Sequence, residues 1–311
     1  MSDHAENLFQ NAAWADAEPV LSILIPFLSD DPTALIRALS RSDAGGQVEI
    51  IAYDDGSNNA ALTARVNDAV QTSAVPCRQV SSRANHGRAK GRNRLARFAR
   101  GGWLLFLDAD MAPDKPGFLN TYLDLIATDA PAVAFGGFSL EQAPASAEHA
   151  LHRRLALASD CASVEVRRNF PEKHVFTSNL LVRRDVFAAH GFDENFAGWG
   201  WEDVEWAMRV ARHHWITHID NTATHLGLDP AATIAAKYEQ SAGNFARVVA
   251  GHPSVVGRYP SYRAARLLKR LPLRAAWRPA LKSFALTEAA PLAARAFAMR
   301  LYRAALYAEA V

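Results

Sequence analysis

Residues 48–57, VEIIAYDDGS, decide the fold of this protein. A mostly apolar run of six residues is followed at once by two aspartates, a glycine and a serine, which is typical of a strand that ends in a tight turn. Two further runs have the same form: residues 20–27 (VLSILIPF), which end in Pro26-Phe27, and residues 103–107 (WLLFL), which end on Asp108. Helical patterns separate these runs, at residues 33–40, 59–70 and 87–100. Strands that alternate with helices at this spacing predict βαβ units and therefore an α/β fold with a mostly parallel sheet.

The pattern along the rest of the chain predicts two further regions. Additional strands are expected at residues 77–80, 132–138, 175–182 and 215–219, and additional helices at residues 147–159 and 202–212. From residue 231 onward the sequence shows helical segments alone, rich in Arg and Ala and interrupted by prolines. We therefore divide the chain into a polar N-terminal tail (residues 1–18), an α/β domain (residues 19–230) and a basic helical C-terminal region (residues 231–311).

Composition excludes several classes of protein. Half of the 311 residues are apolar and 21% are charged, which is typical of a globular chain rather than a disordered or fibrous one. Cys77 and Cys161 form neither a disulfide framework nor a metal-ligand spacing. No signal-peptide pattern opens the sequence, and no run approaches the ~18 uncharged apolar residues of a membrane-spanning helix. We therefore expect a cytoplasmic protein.

Charge is distributed unevenly along the chain. Residues 258–311 hold eleven Lys or Arg against two Glu, a balance of +9, so the total of +2 leaves −7 for residues 1–257. Basic helices with apolar residues bind anionic membrane surfaces, which makes peripheral contact with the inner face of the plasma membrane one expectation. The alternative is that these helices pack on the acidic α/β domain or form an oligomer. The acidic balance of residues 1–257 argues against a nucleic-acid partner.

The predicted strand ends carry paired carboxylates. Asp108 and Asp110 stand two residues apart, so they point the same way if the strand continues, and paired carboxylates suit Mg²⁺ or Mn²⁺. A D-x-D triplet arises by chance roughly once in a chain of this length, and an exposed turn would explain it equally well. Its position favours a ligand site, because open parallel sheets bind ligands at the carboxyl ends of their strands. Asp54 and Asp55 reach the same edge, where a carboxylate can accept hydrogen bonds from a nucleobase or a ribose, although turn chemistry alone also accounts for them.

Two other segments carry candidate functional residues. Residues 85–93, NHGRAKGRN, place three cations at a helix start, which is either a solvated helix end or a phosphate-binding site. In residues 191–205, GFDENFAGWGWEDVE, two glycines flank Trp199, which is either an aromatic surface for a sugar ring or a core side chain beside an ordinary helix start. Glu202 and Asp203 follow at the start of the next helix, a position that favours ionised carboxylates.

Six motifs in order resemble the family-2 inverting glycosyltransferases of the GT-A fold, over about residues 20–228. They are LSILIP, YDDGS, N-x-G-x-x-x-G-R-N, LFLDAD, TSNLLVRRDVF and GFDENFAGWGWEDVEW. The last also resembles the acceptor-and-base loop of the β-1,4-galactosyltransferases and of bacterial chondroitin-type polymerases. The resemblance implies a Rossmann-like GT-A domain with a mostly parallel central sheet and a C-terminal helical extension. The chain departs from the usual pattern at Gly91, where alanine is common, and at Trp201, where glycine is common.

The resemblance also implies roles for particular residues. Asp203 is implied as the catalytic base, with Glu202 holding an acceptor or sugar hydroxyl and Trp199 lying against a sugar. His225 is implied as a metal ligand, although a lone histidine is more often structural. The remaining implied contacts are Pro26 and Asp54 or Asp55 in a uracil pocket, Arg92 on the diphosphate, Asp108 on the ribose or the metal, Asp110 on the metal, and Asn179 near the donor sugar.

The resulting hypothesis is a metal-dependent inverting glycosyltransferase. It would move a hexose or N-acetylhexosamine from a UDP-sugar to a hydroxyl of a saccharide or lipid-linked saccharide, with Mn²⁺ or Mg²⁺, in bacterial cell-surface polysaccharide or glycolipid synthesis. A nucleotidyltransferase would also use paired aspartates, but it would release pyrophosphate and lack the tryptophan-rich loop. A non-catalytic sugar-binding or scaffold protein would tolerate alanine at Asp110 and Asp203.

Overall fold

An eight-stranded sheet forms the centre of the protein in a computed structural model that describes residues 6–272 and 274–311. Its order across the sheet is β1-β4-β3-β2-β5-β9-β7-β10. The strands are β1 (Asn7–Gln10), β2 (Leu21–Phe27), β3 (Val48–Asp55), β4 (Cys77–Ser82), β5 (Trp103–Phe106), β7 (Val133–Phe135), β9 (Leu180–Arg183) and β10 (Ile216–His218). The pairs β4-β3, β3-β2, β2-β5 and β7-β10 are parallel, whereas β1 and β9 run antiparallel to their neighbours. The expected α/β class with a mostly parallel sheet is confirmed.

A second, three-stranded sheet lies beside the first. It contains β6 (Met111–Pro113), β8 (Phe138–Ser139) and β11 (Ala223–His225), in the order β6-β11-β8. The antiparallel register pairs Met111 with His225. Because Asp110 directly precedes Met111, this pairing brings His225 next to the D-x-D segment.

Helices cover both faces of the large sheet. Side chains of β2 alternate between two hydrophobic clusters: Ile23 faces one cluster and Leu24 the other. The first cluster is closed by α1 (Thr33–Ser40), α2 (Ala60–Gln71) and α4 (Phe118–Asp129), and the second by α3 (Arg88–Ala96), α7 (Arg184–Ala189) and α8 (Glu202–Val210). Burial on both faces explains why β2 and β3 are almost continuously apolar.

The C-terminal region is helical, as expected. Two short helices, α5 (Ala150–Leu157) and α6 (Val164–Arg167), lie earlier in the chain. The C-terminal region itself contains α9 (Ala231–Gly251), α10 (Pro253–Val256), α11 (Pro260–Lys269), α12 (Arg274–Leu286) and α13 (Leu292–Tyr307). A third hydrophobic cluster joins Tyr238, Phe245 and Met299 of these helices to Val204 and Met208 of α8. The helices therefore pack on the α/β region, and the division at residue 230 into separate domains stays a prediction. Among the described residues, no helix combines the length and the apolar character needed to cross a bilayer.

Several boundaries differ from the sequence predictions. The strand expected at residues 132–138 is split at Gly136-Gly137, where Gly137 has a φ of +112°, outside the range of a strand. Gly136 packs against Tyr122 so closely that a Cβ there would lie 2.2 Å from the tyrosine hydroxyl. The strand expected at residues 175–182 begins only at Leu180. Helices α4 and α7 were not predicted.

The predicted N-terminal tail needs a correction. Residues 1–5 and residue 273 lie outside the described residues, but Asn7–Gln10 forms β1, which pairs antiparallel with β4. The Asn11 side chain extends this attachment, because its amide donates to the carbonyl of Val75 at 2.9 Å and its oxygen accepts from the Cys77 amide at 3.1 Å. Residues 7–11 are therefore part of the edge of the sheet.

Candidate active site

The carboxyl ends of β2, β3 and β5 lie at one edge of the large sheet. The parallel register places Phe27 opposite Asp54 and Pro26 opposite Tyr53. Asp108 follows β5 by two residues at the same edge. This edge is the expected ligand side of an open α/β sheet.

Asp54 organises the turn after β3. Its two carboxylate oxygens accept hydrogen bonds from the Ser57 amide and the Ser57 hydroxyl, both at 2.7 Å. Gly56 between them has a φ of +87°, and a Cβ there would lie 2.6 Å from the backbone of Ala84. A residue with a side chain would thus be strained and would collide, which explains the glycine. Asp54 also lines a groove of about 730 Å³ with Asn58 and Arg83.

Asp55 holds the loop that precedes α3. Its oxygens accept hydrogen bonds from the backbone amides of His86 at 3.0 Å and Gly87 at 2.9 Å. Burial raises the pKa of Asp55, and these two hydrogen bonds oppose that rise. A Cβ at Gly91 would lie 3.1 Å from an Asp55 oxygen. The glycine that replaces the more usual alanine therefore lets α3 pack tightly against this carboxylate.

Arg92 does not face an open diphosphate site. Its side chain is only 4% exposed, and its guanidinium forms a 2.5 Å ion pair with Asp108. Its Nε is buried and has no partner among the described residues. The expected contact with the diphosphate is therefore not visible in this arrangement, in which Arg92 instead fixes the first carboxylate of the D-x-D segment.

Arg88 is the more accessible cation at this edge, and the sequence indicated it only as one of three basic residues. Its side chain is 41% exposed, its Nε lies 2.8 Å from a Glu202 oxygen, and its guanidinium lies 3.9 Å from Asp108. Its charge also lowers the pKa of Asp110 and opposes the raised pKa of Asp203. Arg88 therefore lies among the carboxylates that the sequence placed in two separate motifs.

Glu202 and Asp203 begin α8, as the sequence predicted. Glu202 is buried, and one of its oxygens has no partner among the described residues. Asp203 keeps part of its side chain exposed and accepts a 2.8 Å hydrogen bond from the Val204 amide. Burial and then the charge of Glu202 raise the pKa of Asp203 to about 7. A carboxylate in this range can take up a proton near neutral pH, which suits a general base.

Asp110 and His225 form the other corner of the site. The His225 Nε2 lies 3.1 Å from an Asp110 oxygen. Burial alone would raise the pKa of Asp110, but the hydrogen bond from His225 and its charge hold it below the ordinary value. The backbone of Gly227 also lies against the Asp110 carboxylate. Only glycine fits there, because a Cβ would lie 2.0 Å from a carboxylate oxygen. Asp30, which the sequence analysis did not select, lies near this corner: burial and then the charge of Asp110 raise its pKa.

The residues of this corner fit a divalent cation by their chemistry. The carboxylates of Asp108 and Asp110 and the imidazole of His225 form an oxygen-and-nitrogen donor set of the kind that Mn²⁺ accepts. His225 Nδ1 is buried and has no partner among the described residues, whereas Nε2 faces Asp110. In the described part of the chain, no three His, Cys, Asp or Glu side chains already stand at ligand spacing. The Asp108 carboxylate forms an ion pair with the Arg92 guanidinium.

Asn179 requires a correction. It is fully buried, and its amide donates to the carbonyls of Gly137 at 2.9 Å and Asn221 at 2.8 Å. Its oxygen accepts a hydrogen bond from the Tyr122 hydroxyl at 2.6 Å. Both donors are used inside the protein, so Asn179 ties β9 to the bend between β7 and β8 rather than approaching a donor sugar.

The loop before α8 is positioned by the C-terminal helices. Trp201 has a φ of +77°, which is uncommon for a residue with a large side chain. Its indole donates a 2.9 Å hydrogen bond to the Tyr307 hydroxyl, and its ring centroid lies 4.9 Å from that of Phe245. Trp199 is half-buried, with its ring centroid 6.3 Å from that of Tyr238. These contacts hold the strained backbone in place at the entrance to Asp203.

An α/β sheet with helices on both faces, a D-x-D segment at its carboxyl edge and added C-terminal helices defines a protein of the GT-A fold class. A family model described as glycosyl transferase family 2 matches residues 22–191, just over half of the chain. The chain therefore belongs to glycosyl transferase family 2. The match includes Asp54, Asp108 and Asp110 and ends before the loop that contains Trp199 and Asp203.

Known proteins support the same classification. The chain is 26% identical over 268 residues to validoxylamine A glucosyltransferase of Streptomyces hygroscopicus subsp. limoneus, covering 76% of this chain and 58% of that protein. The chain thus spans little more than half the length of this relative. Among solved structures, it resembles the mannosyltransferase PcManGT of Pyrobaculum calidifontis in complex with GDP-Man and Mn²⁺, with a TM-score of 0.60, 15% identity and coverage of 96% and 88% of the two chains. It also resembles S. aureus TarS 1–349, with a TM-score of 0.50, 14% identity and coverage of 93% and 89%. At these identities the structural likeness shows the fold alone.

Proposed function

We propose that this protein is an inverting glycosyltransferase that moves a sugar from a nucleotide-sugar donor to a hydroxyl of a saccharide acceptor. The observation that carries the proposal is the position of Arg88, which contacts Glu202 and lies close to Asp108. It joins the D-x-D edge to the start of α8. A donor diphosphate at the D-x-D edge and an acceptor hydroxyl at the start of α8 would thus meet within one site.

Asp203 is the proposed general base. Its carboxylate takes the proton of the acceptor hydroxyl while that oxygen forms a bond to the anomeric carbon. The bond from this carbon to the diphosphate oxygen breaks, and the nucleoside diphosphate leaves with the bonding electron pair. Attack on the face opposite to the leaving group inverts the anomeric configuration. General-base assistance of this kind contributes about 10²–10⁴ in rate.

Asp110, Asp108 and His225 are the proposed ligands of Mn²⁺ or Mg²⁺. A cation there would neutralise the negative charge that develops on the leaving diphosphate. The mixed donor set favours Mn²⁺ over Mg²⁺, since magnesium prefers oxygen ligands. The Mn²⁺ named with the mannosyltransferase neighbour supports this proposal.

The donor is proposed to be a UDP-hexose or UDP-N-acetylhexosamine, with Pro26 and Asp54 or Asp55 near the base. This choice rests on the resemblance of the motifs to those of UDP-sugar enzymes. The mannosyltransferase neighbour carries GDP-Man, so a guanine nucleotide is the direct competitor. We propose bacterial cell-surface polysaccharide or glycolipid synthesis as the setting, with a saccharide or lipid-linked saccharide as acceptor.

A donor screen tests the function. The full chain is incubated with UDP-, GDP- and dTDP-sugars and Mn²⁺, with and without oligosaccharide acceptors, and released nucleoside diphosphate is measured. One donor class should give release that an acceptor stimulates and EDTA abolishes, and the product should have the inverted anomeric configuration. Release of pyrophosphate would instead identify a nucleotidyltransferase, and no release from any donor would contradict the proposal.

A second proposal concerns an anionic membrane surface. Leu267 is 63% exposed, and Leu271 is 47% exposed and lies four residues further along the chain. Arg263, Arg266 and Arg270 beside them are also exposed. Exposed leucines flanked by arginines favour insertion at a bilayer surface with anionic headgroups.

Vesicle flotation of the full chain tests the membrane proposal. Vesicles with 30% anionic lipid should carry the protein upward, neutral vesicles should not, and Leu267→Glu should weaken the association several-fold. Leu157→Glu, at a leucine of α5 that is 55% exposed, is the matched control. Equal recovery with neutral and anionic vesicles, or no association with either, would contradict the proposal.

A further inference from the structure

The loop that leads to Asp203 has an uncommon backbone conformation. Gly198, Gly200 and Trp201 have φ values of +72°, +88° and +77°, so three of four consecutive residues lie in the left-handed region. Glycine adopts this region without steric cost, whereas a residue with a large side chain rarely does. A backbone of this shape persists only where the surrounding structure holds it.

Asn244 of α9 supplies such a contact from outside the loop. It is only 5% exposed. Its side-chain amide donates hydrogen bonds to the carbonyls of Ala197 at 3.0 Å and Gly200 at 2.8 Å, and the carbonyl of Trp199 lies 3.5 Å from the same nitrogen. One amide group therefore joins the beginning and the end of the bend that residues 197–200 form.

The helix that carries Asn244 packs directly against this bend. A Cβ at Gly198 would lie 3.2 Å from the Gln240 side-chain oxygen, and a Cβ at Gly200 would lie 3.5 Å from the Cβ of Ser241. Among the residues that the structure describes, no other side chain donates a hydrogen bond to a carbonyl of residues 197–200. Asn244 therefore provides the side-chain hydrogen bonding of this backbone.

The first part of the loop is held in a different way. Asn93 of α3 exchanges two hydrogen bonds with the backbone of Phe192, both at 2.9 Å. Phe196 is buried in the third hydrophobic cluster. Loss of the Asn244 amide should therefore release residues 197–201 and leave residues 191–196 attached.

The backbone at Trp201 determines where α8 begins. The Trp201 carbonyl accepts a 2.8 Å hydrogen bond from the Glu205 amide in the first turn of the helix. Asp203 is the second residue of that helix. A change in the conformation of residues 197–201 would thus move the Asp203 carboxylate, although the hydrogen bonds of Asn244 go to the loop and not to Asp203.

We infer that Asn244 is a positioning residue for the transfer: it holds the left-handed backbone of residues 197–201 and thereby sets the positions of Trp199 and Asp203. The inference rests on the proposed function, because positioning affects turnover only if Asp203 acts in the reaction. The proposed donor contacts lie at the D-x-D edge, away from this bend. Loss of Asn244 should therefore slow the transfer step and leave donor binding unchanged.

Two matched variants separate positioning from general stability. Asn244→Leu is close to asparagine in size and has no hydrogen-bond donor. Asn11→Leu is the control, because Asn11 is also buried, at 6% exposed, and its amide donates to the carbonyls of Ser73 at 3.1 Å and Val75 at 2.9 Å. Asn11 lies at the amino end of β4, opposite to the ligand edge. Both substitutions remove a buried amide that bonds two carbonyls, so similar losses of stability are expected.

Limited chymotrypsin digestion of the full chain tests the loop without the transfer reaction. Chymotrypsin cleaves after aromatic residues, so Trp199 and Trp201 are themselves reporters of local opening. Cleavage after Trp199, followed by mass spectrometry, is compared with cleavage after Trp215, which is 91% exposed and serves as the internal reference. The ratio should rise about tenfold in Asn244→Leu and stay unchanged in Asn11→Leu. An unchanged ratio in folded Asn244→Leu would overturn the inference, and Asn244→Ala replaces that variant if it does not fold.

Kinetics test the consequence for transfer. With the donor and acceptor that the donor screen identifies, Asn244→Leu should lower kcat by ten- to a hundredfold, while the donor Kd changes by less than twofold. Asn11→Leu should keep the kcat of the unaltered protein at temperatures where both variants are folded. Equal losses of kcat in the two variants would contradict a positioning role.

The two measurements separate this inference from the proposed function. If no sugar nucleotide is turned over but cleavage after Trp199 rises in Asn244→Leu alone, the proposed function fails and the hold of Asn244 on the loop stands. If transfer occurs and Asn244→Leu keeps the kcat of the unaltered protein, the function stands and the positioning role is wrong.

Discussion

Asp203 occupies an environment that resists its ionisation. Burial and the neighbouring Glu202 raise its pKa to about 7, against the opposing hydrogen bond from Val204 and the charges of Arg88 and Arg92. A general base must be ionised to accept a proton. Because the folded pKa lies above that of an unfolded aspartate, ionisation of Asp203 opposes folding as the pH rises from about 4 to 7. This cost is consistent with a functional rather than a structural role.

The pH dependence of the reaction follows from this environment. We expect kcat/KM to rise with pH through about 7 and to level off above it, since only ionised Asp203 accepts the proton. Glu202→Gln removes a charge that raises this pKa, so the rising limb should move to lower pH even if the maximal rate falls. Glu148→Gln, at an exposed glutamate, should leave the limb in place. An unshifted limb in Glu202→Gln would contradict the electrostatic coupling.

The assignment of the base is tested by Asp203→Asn. The substitution keeps the size and removes the proton acceptor, so turnover should fall by about 10²–10⁴. The Kd of the donor should change little, because the proposed donor contacts lie at the D-x-D edge. Single-turnover kinetics and donor titration measure the two effects separately. Transfer at the unaltered rate would refute the assignment.

At the scale of elements, one ion pair joins helices that are distant in the sequence. Arg88 is the first residue of α3 and Glu202 the first of α8, and their side chains meet at 2.8 Å. Glu202 is buried while Arg88 is partly exposed, so the arginine compensates a carboxylate that water reaches poorly. The pair therefore fixes the start of α8, and with it Asp203, relative to the N-terminal end of α3.

Arg88→Met should lower kcat/KM by about ten- to a hundredfold with a small loss of thermal stability. The acidic limb of the pH profile should also move to higher pH, because the positive charge that opposes the raised pKa of Asp203 is lost. Arg88→Lys keeps the charge and should recover part of the activity. Arg37→Met, which breaks an exposed ion pair with Asp68, is the control and should leave kcat/KM unchanged. An equal loss in both methionine variants would contradict the positioning role.

At the scale of the whole molecule, the C-terminal helices form part of the site. Phe245 of α9 is fully buried and lies between Trp201, at 4.9 Å, and Tyr307, at 4.2 Å between ring centroids. The loop before Asp203 is thus held by residues that follow it by more than forty positions. A chain that lacked residues 231–311 would expose this apolar cluster and release the loop.

Phe245→Ala should destabilise the protein by about 3–5 kcal/mol, the range for truncation of a fully buried phenylalanine. It should also lower activity at temperatures where the protein stays folded, because Trp201 loses its support. Chemical denaturation and an activity assay measure the two effects. Phe297→Ala, at a phenylalanine of α13 that is 64% exposed, should change stability by no more than about 0.5 kcal/mol.

The sequence predicted much of the framework because its signals are local. The apolar runs of β2, β3 and β5 and the turn residues after them depend only on nearest neighbours along the chain, and they predicted the α/β class correctly. The same local signals missed α4 and α7, and they missed the split at Gly136-Gly137, where the backbone has a positive φ and lies against Tyr122. They also treated residues 7–10 as a tail, since a short edge strand is defined mainly by its partner β4.

For the candidate site, position and spacing indicated Asp110, Glu202 and Asp203, and the resemblance to the glycosyltransferases added His225. What each polar group contacts was decided only by the tertiary structure, since burial and pairing arise between segments far apart in the chain. Asn179 is fully hydrogen-bonded in the interior, and Arg92 is paired inside with Asp108, so Arg88 is the accessible cation at the edge. The sequence by itself therefore determined the fold class and the edge where chemistry is expected. The geometry of that edge, including the part that α9 and α13 contribute, required the folded chain.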